Sequence, residues 1–129
     1  MCGLSHFMTD KRSLTLRMPW PPSLNRIWRA FGGRIILAKA ARAYKVQAAN
    51  ALPPGHVEPL TGRLVVTCLA CPPRTLRNKT HDVMNREKLL CDTLTEQRVW
   101  LDDSQVDVFM IGRGPESEHG HIDILIAEY

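Results

Sequence analysis

Proline-rich breaks divide this chain into short segments, and they confine each helix or strand to the stretch between two breaks. The breaks are Pro19–Ser23, Pro53–Gly55, Pro72–Pro73 and Gly112–Pro115, and Gly32–Gly33 adds a further turn. Proline has no backbone N–H to donate to a β-ladder or a helix, and it biases the residue before it towards extended conformations. Each break therefore predicts the end of the element before it.

Four segments carry the pattern of β-strands. Residues 13–18, 105–111 and 121–127 alternate apolar and polar side chains, which predicts strands with one buried face. Residues 60–70 are apolar on both faces, which predicts a central strand that is covered on both sides. The glycine- and proline-containing turn at 112–115, with a polar loop, joins the last two strands, and we expect these two to pair as a hairpin.

Two segments carry the pattern of α-helices. Residues 37–52 are rich in helix-forming side chains. Residues 83–96 place apolar side chains along one stripe and Asn85, Lys88 and Asp92 along another. The resulting order, β-α-β-α-β-β, predicts one α+β domain, in which a small mixed sheet of about four strands is covered by two helices.

Chain length and composition agree with one domain outside a membrane. The chain has 129 residues, which fits one compact domain. Residues 1–12 carry no periodicity, so we expect a disordered N-terminal extension followed by a domain over 13–129. No apolar run approaches the ~18 residues of a membrane span, and the N-terminus lacks the apolar core of a secretory signal. We therefore expect a cytoplasmic protein with reduced cysteines.

Basic residues outnumber acidic ones, and the excess is concentrated. Seventeen Lys and Arg against 13 Asp and Glu give a formal charge of +4, which favours a polyanionic partner. Much of the excess lies in residues 26–45, and then in Arg74, Arg77, Lys79 and His81. Solvated surfaces are the alternative interpretation of either stretch. Trp20, Trp28 and Phe31 lie among or near the first stretch, where they either stack on bases or pack the connection.

Carboxylates and a lysine lie close together in the second half of the chain. Asp82 precedes the second predicted helix, where it is either an N-cap or a ligand for a hard cation. Asp102 and Asp103 stand at the entrance of a strand, as ligands or as parts of a solvated turn. Lys88 is either a cation that stabilises a phosphate or a helical partner of Asp92. Together with flanking arginines, these parts fit a metal-assisted phosphodiesterase.

Two weaker patterns suggest a softer metal. Cys68 and Cys71 have the spacing of half a zinc site, which His81 or Cys91 could complete, but the alternation places Cys68 in the core. Farther along the chain, two imidazoles and a carboxylate alternate onto one strand face, at His119, His121 and Asp123. A core cysteine and a polar outer face are the simpler interpretations.

Three motifs in order resemble those of the RusA-type Holliday junction resolvases, a family of small phage and bacterial endonucleases. They are Pro19–Arg26, Asp82–Leu94 and Val99–Val106, and the resemblance covers Leu14 to Glu128. The resemblance implies a homodimer of mixed α/β subunits, which binds four-way DNA junctions and nicks two strands symmetrically with Mg²⁺ or Mn²⁺. A two-fold dimer offers two equivalent sites to a junction that is itself nearly two-fold.

The resemblance also implies roles for individual residues. Asp82 corresponds to the first metal-site acid, Asp103 to the later essential acid and Lys88 to the catalytic lysine, and we expect Asp102 to assist at the metal. Asn85 corresponds to the asparagine of the family's D-x-D-N pattern. The residues expected to contact DNA are Asn25, Arg26, Arg74, Arg77, Lys79 and Asn85.

Met84 is the departure from this pattern, because it stands where the family has its second aspartate. A neutral thioether does not replace a carboxylate on Mg²⁺. Glu87, Asp102 and the Asn85 carbonyl are the oxygen donors that could substitute, although Glu87 points away from Asp82 on an ideal helix. The sequence therefore leaves open a junction-cleaving enzyme and a junction-binding protein with impaired cleavage. A small zinc or iron protein is a third possibility.

Overall fold

A computed structural model describes most of the chain. The described residues are 11–22, 28–31, 34–37, 39–52, 58–77 and 86–129. Most of the predicted N-terminal extension lies outside them, so its disorder stays a prediction. Several residues of the motifs and basic stretches named above also lie outside them, among them Asn25, Arg26, Lys79, His81, Asp82, Met84 and Asn85.

A four-stranded mixed sheet is the centre of the fold. Its strands are β1 (Ser13–Pro19), β4 (Leu64–Cys71), β5 (Val106–Arg113) and β6 (His121–Glu128). Their order across the sheet is β1-β6-β4-β5. Strand β6 is antiparallel to both β1 and β4, whereas β4 and β5 are parallel. The predicted mixed sheet of four strands is confirmed.

The predicted hairpin of the last two strands is wrong, because β4 lies between β5 and β6. Alternation along a strand shows which side chains share a face, but it does not identify the neighbouring strand. The segment 114–120 instead crosses the end of β4. Gly114 N–H donates to the Ala70 carbonyl at 2.8 Å, and Ser117 N–H donates to the Pro72 carbonyl at 2.9 Å.

A second, two-stranded sheet was not predicted. Strands β2 (Trp28–Phe31) and β3 (Arg34–Leu37) pair in antiparallel fashion on either side of Gly32–Gly33. A Gly-Gly pair between two β-forming segments is a signal for a hairpin. The sequence analysis predicted the turn at Gly32–Gly33 but not the two strands beside it.

Both predicted helices are present, and both are shorter than predicted. Helix α1 spans Lys39–Ala51, and helix α2 spans Glu87–Glu96. Arg86 stands at the N-cap position of α2, and Asp82, with its predicted N-cap or ligand role, lies outside the described residues. Neither described α-helix is long and apolar enough to cross a membrane.

The core lies between the helices and one face of the sheet. Side chains from β1, β4 and β6 that point to this face are buried together with Tyr44 and Ala48 of α1 and Leu90 and Leu94 of α2. Trp100, which follows α2, is also fully buried there. The two helices therefore cover one side of the sheet, as predicted.

The other side of the sheet, here called the open face, is exposed in the single chain. It carries Val65, Thr67 and Leu69 of β4 together with residues of the three neighbouring strands. Four large apolar side chains on it are 43–50% exposed, and they are Leu69, Val108, Met110 and Leu125. Strand β4 is central as predicted, but within one chain its second side is left partly or fully exposed from Val65 to Leu69.

Candidate active site at the entrance of strand β5

A short 3₁₀ turn, Asp103–Gln105, places the two adjacent aspartates just before β5. The Asp102 carboxylate accepts from Ser104 N–H at 2.9 Å and so caps the turn. Gln105 Oε1 accepts from the N–H groups of Leu101 and Asp102 at 2.7 and 2.9 Å. The hydrogen bonds from Ser104 lower the pKa of Asp102, which keeps this cap ionised. Asp102 thus has a structural role at the strand entrance, whatever else it binds.

Asp103 is anchored through one oxygen only. Its Oδ1 accepts from Trp100 Nε1 at 3.1 Å and from the hydroxyl of Thr95 on α2. Trp100 Nε1 also lies 2.6 Å from Thr95 Oγ1, so indole, hydroxyl and carboxylate form one small network. No described residue donates a hydrogen bond to Oδ2, and Asp103 is exposed. A carboxylate held at one oxygen and open at the other is suited to binding a cation.

Glu87 lies on the same stripe of α2 as Thr95. Its Oε1 accepts from Cys91 Sγ at 3.6 Å, one helical turn along, and Thr95 follows one turn later. Burial raises the pKa of the Cys91 thiol, and the carboxylates of Glu87 and Asp103 raise it further. Glu87 is therefore an oxygen donor on the side of α2 that contacts Asp103. Among the described residues, however, no group of three acidic ligands converges around these two.

Lys88 is exposed and weakly paired. Its Nζ lies 3.6 Å from the Asp92 carboxylate, and the side chains are 60% and 37% exposed. This is the helical pair that was the alternative interpretation of Lys88. An exposed pair of this spacing contributes only about 0.3–0.5 kcal/mol, so it leaves Lys88 able to exchange its partner for a phosphate.

The described arginines of the second basic stretch lie far from Asp103. Arg74 and Arg77 follow β4 at the end where Ala70 pairs with Arg113, whereas Asp103 lies at the end where Leu64 pairs with Val106. At about 3.3 Å per residue, the length of β4 separates them by roughly 20 Å or more. The structure therefore does not bring these arginines to the carboxylates.

Arg77 already has a partner in the crossing segment. Its Nε lies 3.2 Å from Glu116 Oε2, and a second guanidinium nitrogen contacts Oε1. The hydrogen bonds from Arg77 lower the pKa of Glu116, which stays ionised. Arg77 must exchange this carboxylate for a phosphate if it contacts DNA.

Arg86 is a residue that the sequence interpretation missed. It is buried just before α2, donates to the Pro21 carbonyl at 2.9 Å, and places its guanidinium 4.9 Å from the Trp20 ring centroid. Arg86 thereby joins the Pro19–Arg26 motif to the start of α2. This contact explains Trp20 by packing, and no signal in the single sequence pairs the two residues.

The structure does not bring together the described residues of either predicted zinc pattern as a set. Cys68 points into the core, and burial raises its pKa to about 12, whereas Cys71 points to the open face. Exposed His119 lies beside Glu118. Cys71 instead comes close to His121 and Asp123, outside the site at β5.

Comparison with known proteins relates most of the chain to crossover junction endodeoxyribonucleases. The family model of endodeoxyribonuclease RusA matches residues 19–127. The chain is 28% identical over 114 residues to the crossover junction endodeoxyribonuclease RusA of Escherichia coli strain K12, which covers 88% of this chain and 93% of that protein. The corresponding protein of Enterobacteria phage 82 is 28% identical over 113 residues, with 88% and 92% covered. That of Shigella sonnei is 27% identical over 114 residues, with 88% and 93% covered.

Proposed function

Because this chain belongs to the RusA family of endodeoxyribonucleases, we propose that it resolves four-way DNA junctions by paired, symmetric nicks. The family hydrolyses phosphodiester bonds, and two of the relatives above are bacterial and one is from a phage. The observation that carries the proposal is Asp103, which stands at a strand entrance with one oxygen anchored and one open. Such an enzyme acts on bacterial or phage DNA in the cytoplasm.

We assign a Mg²⁺ or Mn²⁺ ion to Asp82 and Asp103, with Asp102 assisting. Hard divalent cations take carboxylate oxygens, and the described part of the site offers the open Oδ2 of Asp103, so the donor type fits. At a phosphodiester, such an ion activates water and stabilises negative charge. The Met84 side chain supplies no oxygen, and we propose Glu87, on the side of α2 that contacts Asp103, as the acid that substitutes for it.

Four further side chains have roles in the proposed cleavage. Trp100 and Thr95 hold Asp103 in one orientation, so that its open oxygen is directed before substrate arrives. Asp102 keeps the turn that carries Asp103 in shape. Lys88 leaves its weak pair with Asp92 and stabilises charge on the phosphate.

The proposed DNA contacts extend beyond the end of the sheet that lies opposite Asp103. We assign phosphate contacts to Arg74 and Arg77, beyond one end of β4, and to Asn25, Arg26, Lys79 and Asn85. A four-way junction is wide enough to contact cations at one end of the sheet and the carboxylates at the other. Binding through phosphates releases counterions, so junction affinity falls steeply as salt rises.

A second copy of this chain is the partner that we assign to the open face. Paired nicks need two active sites, and a two-fold dimer presents them symmetrically. The open face supports this partner, because it groups four large apolar side chains that one chain leaves in water. Its rim carries the Arg17–Asp123 ion pair, which is polar like the rim of an ordinary interface.

The second candidate function is junction binding without efficient cleavage. It is favoured by Met84 and by the absence, among the described residues, of acidic ligands that converge on Asp103. Loss of one anionic ligand reduces the occupancy of a weakly bound hard cation. Occupancy of junctions or recruitment of other proteins would then be its role.

One assay separates the two functions. A labelled four-way junction is incubated with Mg²⁺ or Mn²⁺ and with the wild type, Asp103→Asn or Met84→Asp. Metal-dependent paired nicks by the wild type that are lost in Asp103→Asn support the enzyme. Junction binding without nicks, with cleavage gained in Met84→Asp, supports the binding protein. If no variant cleaves and none prefers a junction to duplex DNA, both proposals are wrong.

A further inference from the structure

Three side chains of different donor type meet where β4 ends and β6 begins. Cys71 is the last residue of β4 and pairs directly with His121, the first residue of β6, while Asp123 follows on the same face. The thiol sulfur, an imidazole nitrogen and a carboxylate oxygen all lie within 4.8 Å of one another. Tetrahedral zinc with ordinary bond lengths places its ligand atoms about 3.3–3.8 Å apart. Small side-chain movements are enough to reach that geometry.

We propose that Cys71, His121 and Asp123 bind a borderline-soft divalent metal ion, of which Zn²⁺ is the best match. One thiolate, one imidazole and one carboxylate are ligands that zinc accepts, and three protein ligands leave a fourth position for water. Mg²⁺ prefers oxygen ligands, so this donor set selects against the ion assigned to the nuclease site. The site does not depend on the proposed nuclease function.

The imidazole is already oriented for such a role. His121 Nε2 faces Asp123 Oδ2 at 3.4 Å, and Nδ1 lies 3.1 Å from Ser117 Oγ. Ser117 is itself held in place, because its Oγ accepts from Gly120 N–H at 3.1 Å. A hydroxyl can donate or accept a hydrogen bond, so Ser117 Oγ can accept from Nδ1–H of His121. In that tautomer, the lone pair of His121 Nε2 is available to a metal ion.

The crossing segment covers the thiol from one side. A Cβ on Gly114 would lie 2.8 Å from Cys71 Sγ and 2.7 Å from a carbon of Leu69, so only glycine fits without displacement. Burial is the main reason that the pKa of the Cys71 thiol is raised, with a further contribution from Asp123. Metal binding therefore converts Cys–SH and M²⁺ into Cys–S–M⁺ and releases one proton to water. Access remains from the side of Asp123, which is 40% exposed.

Arg17 competes for the carboxylate but does not fill the site. Its Nε donates to Asp123 Oδ1 at 2.8 Å, and its second contact reaches Oδ2 at 3.2 Å. The Arg17 side chain is 67% exposed, and ion pairs with so much solvent access contribute little. Oδ1 can stay with Arg17 Nε while Oδ2, which faces His121, exchanges its longer contact with Arg17 for the ion.

An ion at this site would link three parts of the chain. It would tie the ends of β4 and β6 to each other and, through Ser117, to the segment that crosses β4. An ion that binds the native state and not the unfolded chain stabilises it by RT ln(1 + c/Kd), where c is the free ion concentration, so the melting temperature rises as c exceeds Kd. Stability is therefore a readout that needs no nuclease activity.

The test uses the full chain, freed of metal with a chelator and then kept in excess Mg²⁺ to occupy hard-cation sites. Zn²⁺ is titrated by calorimetry, and Co²⁺ is titrated by its absorption. We expect one ion per chain, a thiolate-to-cobalt charge-transfer band and a Zn²⁺-dependent rise in melting temperature. Cys71→Ser abolishes the band, and His121→Gln weakens binding by at least ~10-fold. Ser117→Ala weakens it by a smaller factor.

Two matched variants serve as controls. His119→Gln removes an exposed imidazole two residues from His121, and Cys2→Ser removes a different thiol, and both are expected to bind as the wild type does. Melting curves without metal establish that each variant folds, and Asp123→Asn replaces any variant that does not. The proposal is overturned if the wild type shows no saturable Zn²⁺ binding. It is also overturned if folded Cys71→Ser and His121→Gln both bind like the wild type.

Discussion

The Trp100 indole N–H donates to Asp103 Oδ1 at 3.1 Å, so a fully buried side chain orients an exposed carboxylate. Thr95 contributes a second contact from α2 to the same oxygen. The core of the protein thus extends to the candidate active site through one aromatic ring. Loosening that ring or that hydroxyl should disturb Asp103 while the fold remains intact.

Thr95→Val is expected to lower junction cleavage by about 10- to 100-fold, because small displacements of a catalytic group carry penalties of this size. Junction affinity should not change, since the described partners of the Thr95 hydroxyl are Cys91, Trp100 and Asp103, none of which is a proposed phosphate contact. Gel-based cleavage rates and binding isotherms measure the two quantities. Thr93→Val is the matched control, because the described partner of the Thr93 hydroxyl is the Leu89 carbonyl within α2. Equal cleavage by both variants would show that orientation of Asp103 does not matter.

Glu116→Gln is expected to tighten junction binding several-fold, because it removes the carboxylate that now holds Arg77. Arg77→Ala should have the opposite effect and reduce the slope of log affinity against log salt by about 1. Fluorescence anisotropy at several salt concentrations measures both effects. Lys11→Ala makes the same change of charge at an exposed residue outside the proposed contacts. If it lowers the slope as much as Arg77→Ala does, the effect is one of net charge.

Leu125→Lys is expected to convert a dimer into a monomer, because it places a charge in the middle of the open face. The single chain should tolerate the lysine, since Leu125 is 45% exposed there. Sedimentation velocity measures the mass in solution. Val46→Lys, on the exposed side of α1, is the control and should leave the dimer intact. A monomeric wild type, or a dimeric Leu125→Lys protein, would contradict the assignment of a second copy to this face.

Glu128 predicts a loss of stability in acid. Burial alone raises the pKa of Glu128, but the N–H groups of Gly62, Arg12 and Thr61 together outweigh it and hold the pKa below its usual value. A depressed carboxyl pKa stabilises the native state above the unfolded pKa of about 4.3, and this contribution is lost as pH falls through the folded pKa. Melting temperature should therefore fall with pH below about 4.3 more steeply in the wild type than in Glu128→Gln.

The control for that experiment is Glu96→Gln, since Glu96 is an exposed glutamate that pairs with Lys45. Its acid sensitivity should match that of the wild type. Indistinguishable acid profiles for the wild type and Glu128→Gln would mean that the three backbone contacts do not act on the carboxylate.

Local patterns predicted most elements of the fold, because periodicity and proline breaks act within a few residues. They could not predict that β4 separates β5 from β6, since that order depends on contacts across the sheet. The apolar side chains on both faces of β4 led to a strand covered on both sides. One chain covers only one of them, and the other is where we place the second copy.

In the candidate site, too, local sequence predicted some features, and others depend on contacts between distant parts of the chain. Motif order predicted Asp103 and Lys88, but their neighbours follow from tertiary structure. The contact of Thr95 with Asp103 requires the end of α2 to meet the turn before β5. Arg86 and Trp20 are far apart in the chain, and their contact depends on how β1 and α2 pack. Cys71 joins His121 because β4 and β6 are neighbours, and alternation along the two strands does not reveal that pairing.

The position of β6 has a consequence for how the protein folds. Strand β6 follows the other described strands in the chain but lies between β1 and β4 in the sheet. Neither β1 nor β4 can therefore pair with β6 until residues 121–128 have left the ribosome. Contacts such as that of Arg17 with Asp123 join residues 106 positions apart, and such distant contacts slow folding. During synthesis, β1 and β4 keep unpaired edges that are prone to aggregation. The nuclease fold is therefore completed after nearly all of the domain has been made.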